Sequence, residues 1–108
     1  MNADEFRSLA LTFAGAAEAQ HMNHPDFRVE GKIFASLGYP NEESAMVKLT
    51  PEQQAAFLKR SPKVFNPCNG VWGQRGATNV HLPLAKPTVV QAALKAAYCN
   101  LRAKPIKK

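Results

Sequence analysis

The chain has 108 residues, of which 45% are hydrophobic and 20% charged, with a formal net charge of +6. This length suits one domain rather than two, and the apolar fraction is enough to build a core. No apolar stretch approaches a bilayer span and the residues after Met1 form no basic-then-apolar leader, so the expectation is a cytoplasmic domain with no membrane partner.

The charge is unevenly placed. Through Glu52, eight acidic residues stand against four basic ones; from Gln53 onward there are ten basic residues and no Asp or Glu. Such a split predicts a basic surface built by the second half, suited to DNA or to an acidic protein. The plain alternative is a solubilising surface that ends in a loose basic tail over 104–108.

In chain order, a helix opens at Asn2 as N-cap, with Glu5 three residues on as its capping-box partner. Phe6, Leu9, Ala10 and Phe13 give it an apolar face, and Gly15 is placed to stop it. A first strand is predicted over 17–22 and a turn at Asn23-His24-Pro25-Asp26. Residues 27–37 read as one strand bent at Gly31. A second turn at Gly38-Tyr39-Pro40-Asn41 leads to a third strand over 45–49. Thr50, Pro51 and Gln53 mark the start of a second helix, with Ala55, Ala56, Phe57 and Leu58 as its apolar face. Val64-Phe65 is a short extended piece, and residues 71–84 read as a further strand. A last helix starts near Pro87 and Thr88, with Gln91 as capping-box partner. Its apolar stripe is Val90, Leu94, Ala97, Tyr98 and Leu101. Short turns between strands predict an α+β two-layer sandwich: about five mainly antiparallel strands and three helices, in the order α-β-β-β-α-β-β-α over residues 1–103.

Three blocks then stand out. They are His24-Pro25-Asp26-Phe27-Arg28-Val29-x-Gly31-Lys32-Ile33-Phe34-Ala35, Val47-Lys48-Leu49-Thr50-Pro51-Glu52-Gln53, and Trp72-Gly73-x-x-Gly76-x-Thr78-x-Val80-x-Leu82. Together and in this order they resemble the MmcQ/YjbR family. Ala77 departs from the pattern, since many members have an aromatic residue beside that glycine. The resemblance implies a fold similar to frataxin-like and secretion-chaperone-like sandwiches. It also implies a proposed double-wing DNA-binding role. It does not import iron binding, because the acids here are few and scattered.

Sequence motifs for enzymatic chemistry are missing. No phosphate loop, nucleophile elbow or zincin motif occurs, so no catalytic residue and no cofactor is expected. Cys68 and Cys99 match no zinc or redox spacing and read as reduced thiols. A cysteine paired with His21, His24 or His81, or a metal held by those three histidines, is less expected than ordinary core and surface roles.

The candidate DNA contacts are basic. Lys59, Arg60 and Lys63 cluster at the end of the second helix. Arg75 sits in a Gly-flanked, hairpin-like loop, Gly73-Gln74-Arg75-Gly76, that reads as a wing. Lys86 precedes the last helix, and Lys95 and Arg102 lie along it. Gln74, Asn79 and Gln91 are the side chains that can reach base edges. Trp72 is either a core anchor or a platform for a base. Lys32 and Lys48 interrupt apolar strands and so should face solvent. The rival reading is a chaperone-like protein-binding module, monomeric or homodimeric, with Phe27, Ile33 and Tyr39 on an exposed sheet face.

Overall fold

The computed structural model describes residues 1–38 and 41–102. Tyr39 and the tail expected over 104–108 lie outside the described residues. The described chain is built around one six-stranded, wholly antiparallel sheet in the order β1-β2-β3-β4-β6-β5. The α+β class and the antiparallel sheet match expectation. The count is six strands and four helices instead of five and three.

Helix α1 runs over Ala3–Ala10. The Asn2 side chain accepts from the Glu5 amide and the Glu5 carboxylate accepts from the Asn2 amide, each at 2.9 Å, so the predicted capping box is present. Phe6 and Ala10 are buried, and Leu9 packs beside them.

Strands β1 (Ala16–His21), β2 (His24–Val29) and β3 (Lys32–Leu37) form two successive hairpins. The span read as one bent strand is therefore two. Glu30 and Gly31 both have positive φ, +53° and +79°, and make a two-residue turn that sends the chain back on itself. Met22 and Asn23, at +50° and +67°, do the same between β1 and β2. His24, expected in a turn, opens a strand instead. A register shift between Phe27 and Arg28 leaves an extra residue on β3. It lets β3 bury Phe34 and Ala35 in succession, where strict alternation would expose one of them.

Strand β4 (Ser44–Lys48) follows, then α2 (Pro51–Arg60). Thr50 Oγ1 accepts from the Gln53 amide and Gln53 Oε1 from the Thr50 amide, the second predicted capping box. The inward face of α2 differs from expectation. Ala55 and Ala56 are exposed, Phe57 and Leu58 are half-buried, and the polar Gln54 is the buried residue. The edge strand β5 (Phe65–Pro67) meets α2 through Phe57 and Phe65, whose ring centroids are 5.2 Å apart.

The strand expected over 71–84 begins only at Ala77. Before it comes a short helix, α3 (Gly70–Gln74), and after it a single 3-10 turn, Leu82–Leu84. The strand itself, β6 (Ala77–His81), inserts between β4 and β5. Helix α4 (Pro87–Arg102) closes the described chain.

The core lies between α1, α4 and one face of the sheet. Phe6 meets Phe27, and Phe13, Phe34 and Tyr98 form an aromatic cluster with centroids 5.0 to 6.2 Å apart. Polar pins hold the helices in place. The Tyr98 hydroxyl donates to the Ala14 carbonyl at 2.6 Å. Asn100 and Gln53 exchange side-chain amide hydrogen bonds, and Asn100 also donates to the Lys48 carbonyl.

Two glycines of the third block lie where backbones touch. A Cβ at Gly73 would collide with the Cys68 carbonyl oxygen, and one at Gly76, where φ is +112°, with that of Leu49. Gly31 also has positive φ, yet a Cβ there meets nothing within 4 Å. The two positive-φ sites separate backbone strain from collision. Gly31→Ala should cost about 1 kcal/mol, and Gly76→Ala about 3 kcal/mol or more. Urea unfolding of the two variants would check this, and equal losses would contradict it.

Candidate nucleic-acid interface

Strand alternation divides the sheet into two faces. Phe27, Val29, Ala45, Val47, Thr78 and Val80 point to the helices and are buried. The alternate residues Arg28, Ile33, Met46, Lys48, Asn79 and His81 point the other way, and all six are partly exposed. Neither α1 nor α4 covers this second face. Phe27, expected on it, is fully buried in the core; Ile33 is partly exposed there. Lys48 sits on it as predicted.

The open face mixes polar and charged side chains (Arg28, Lys48, Asn79, His81) with the apolar Ile33 and Met46. Asp26 is fully buried there, held by Arg28 through two hydrogen bonds, Nε to Oδ1 at 2.7 Å and Nη2 to Oδ2 at 3.0 Å. This bidentate pairing with Asp26 raises the Arg28 pKa further above its ordinary value. Asn79 accepts a hydrogen bond from the Cys68 thiol, Sγ to Oδ1 3.2 Å.

Helix α3 closes the β6 end of this face. Its two glycines and five-residue length give it little intrinsic helicity, so tertiary contacts hold it. Gln54 is the main one. Its buried side-chain nitrogen lies 3.0 Å from the Gly73 carbonyl, 3.0 Å from the Ala77 carbonyl and 3.1 Å from Thr78 Oγ1. Thr78 Oγ1 in turn donates to the Gly76 carbonyl at 2.7 Å. The Leu49 amide donates to the same carbonyl at 3.2 Å, which ties the segment to the end of β4.

This packing raises Trp72 into solvent. The residue is 62% exposed, so it is not a core anchor. Lys48 Nζ stands 5.7 Å from its ring centroid, within cation–π range. Lys48, Leu49, Trp72, Arg75 and Ala77 line a shallow cleft of about 200 Å³. The small side chain of Ala77 contributes to this opening. The wing expected at Gly73-Gln74-Arg75-Gly76 is not a projecting hairpin. Gly73 and Gly76 are buried, while Gln74 and Arg75 are exposed at the helix end.

The other candidate cations are spread out. Lys59, Arg60 and Lys63 are exposed and lie near the start of β5, whereas Arg75 lies near the start of β6. The two strands are antiparallel, so these groups stand at opposite ends of their hairpin. Lys95 is exposed on the outer side of α4, away from the buried Val90, Ala93, Leu94 and Ala97. The sheet therefore separates it from Arg75. Lys86 is exposed next to the start of α1, where the Met1 amino group donates to the Leu82 and Ala85 carbonyls. The Arg102 side chain lies outside what is described. Among the described residues, no group of three or more His, Cys, Asp or Glu is placed to hold a metal ion. Among them, too, no helix is long and apolar enough to cross a membrane.

An antiparallel α+β sheet with helices on one face and an open polar face defines the class of this protein. The family model described as YjbR matches residues 11–100, and the chain belongs to that family. The crystal structure of Deinococcus radiodurans protein DR2400, with its DUF419 domain, is similar to it in fold. The TM-score is 0.79 at 16% identity, covering 99% of this chain and 83% of that one. No curated protein sequence matches the chain.

Both cysteines are free. Cys68 is half-buried, and desolvation pushes its thiol pKa up, so less thiolate is present at a given pH than at an ordinary cysteine. Cys99 is exposed on α4. A thiol reagent at mildly alkaline pH should react in two phases, with Cys68 severalfold slower, and Cys68→Ser should remove the slow phase. Gln54→Ala should cost about 2 kcal/mol, because it removes the buried donor that joins the Gly73 and Ala77 carbonyls and Thr78 Oγ1, leaving the two carbonyls only the Gly76 and Cys68 amides. Chemical denaturation would measure this.

Proposed function

We propose that this protein is a non-enzymatic DNA-binding module and that DNA docks on the open sheet face at the α3 end. The observation that carries this reading is the grouping of Lys48, Trp72 and Arg75 around one cleft. Cations supply phosphate contacts that do not depend on base sequence, and an exposed aromatic ring supplies area for a base. The absence of acidic residues after Glu52 adds support, since approaching phosphates meet no opposing charge from that half of the chain. Lys59, Arg60 and Lys63, at the far end of the β5–β6 hairpin, extend the contact to a backbone that runs along this edge. Lys95 and Lys86 lie away from this cleft and contribute at most long-range attraction.

The resemblance to a double-wing mode is modified in this reading. With Gly73 and Gly76 packed, the third block presents a short helix and a ring instead of a wing.

The test is fluorescence anisotropy with a labelled duplex that carries a single-stranded tail, titrated at several salt concentrations. Affinity should fall steeply with salt. Arg75→Ala should lower the slope of log K against log salt by about one, whereas Lys95→Ala should leave it nearly unchanged. No binding at low salt would overturn the DNA reading and favour a protein partner, for which exposed Val71 and Trp72 are the adjacent apolar side chains.

A further inference from the structure

We infer that the Lys48–Trp72–Arg75 cleft takes unpaired bases, so that single-stranded DNA is the preferred form over blunt duplex. This rests on the DNA-binding reading above and specifies its ligand. Two independent observations point to it. The first is the ring itself. Trp72 is 62% exposed at the lip of a cleft, with Lys48 Nζ near the ring and Arg75 on the same lining. A ring in this position is used by stacking. In a duplex the base faces are already stacked on one another, so a surface indole reaches them only where bases are unpaired or terminal.

The second observation concerns shape. Readout of duplex DNA needs an element that enters a groove, such as a helix or a two-stranded ribbon. Helix α3 has only five residues and is held down by Gln54, its Gly73 lies against the Cys68 carbonyl, and Gly76 just after it lies against that of Leu49. Among the described residues, nothing at this end of the face projects far enough to fill a major groove. A flexible single strand has no such requirement. Its phosphates can reach Lys48 and Arg75 while one base lies on the indole, and Asn79 on the neighbouring strand offers polar atoms to a base edge.

Trp72 is the sole tryptophan, so its emission reports on this cleft directly. The experiment titrates the full chain with oligothymidine, alone and annealed to oligoadenine, and follows both anisotropy and tryptophan fluorescence. The expected result is tighter binding of the single strand, with quenching of the emission. Trp72→Ala should weaken single-strand affinity about tenfold, Trp72→Phe should retain most of it, and both should leave the melting temperature close to that of the parent. If the duplex binds as tightly as the single strand with emission unchanged, DNA binding stands and the single-strand assignment falls. If neither binds at low salt, both readings fall together. If Trp72→Ala binds the single strand as well as the parent does, the indole is not the contact and the inference is overturned.

Discussion

One buried side-chain amide organises the half of the molecule that matters most for its surface. Gln54 projects from α2 and meets the Gly73 and Ala77 carbonyls and the Thr78 hydroxyl. Among the described residues no buried side-chain nitrogen or oxygen is left without a partner. A buried amide nitrogen with three acceptors around it specifies one arrangement, whereas an apolar contact of similar size would tolerate several. Here the arrangement joins α2, α3 and β6 at one point. It works only because Gly73 and Gly76 allow backbone to lie against backbone at the Cys68 and Leu49 carbonyls. The two glycines and the threonine of the third sequence block are thus packing residues. Trp72, the remaining side chain of that block near this point, is the one that packing leaves outside.

The core and the open face follow from the same sheet. The extra residue on β3 turns a regular alternation into successive buried positions, so that Phe34 can join Phe13 and Tyr98. The helices take up this apolar side and are tied down by the Tyr98 and Asn100 hydrogen bonds. The opposite side carries polar and charged residues beside Ile33 and Met46. It keeps its charges in contact with water, apart from Asp26, whose burial is compensated by the bidentate Arg28. Family membership and the likeness to DR2400 concern this frame. The binding proposal rests on the side chains at its α3 end.

Much of the local structure is legible in the sequence. The two capping boxes announce α1 and α2, because their bonds span only three residues. The apolar stripe of α4 is equally plain, with Val90, Leu94 and Ala97 buried as their spacing predicts. The Glu30-Gly31 turn was less visible, since a lone glycine in an apolar run signals a bulge as readily as a hairpin. The burial of Gln54 could not be read at all. It lies one residue beyond the capping partner Gln53 and resembles any solvent-facing amide until β6 comes into place.

Charge shows the same division. The sequence alone determines that every cation after Glu52 is free of neighbouring acids in the chain, and composition requires no structure to establish it. It also determines the starts of α1, α2 and α4, the α+β class and the blocks that mark the family, all of which depend on residues close in sequence. Only the tertiary structure decides that Lys48, Trp72 and Arg75 line one cleft, while Lys95 falls behind the sheet. Contacts between distant residues depend on strand order, and the order that inserts β6 between β4 and β5 is set by long-range burial that no local spacing encodes.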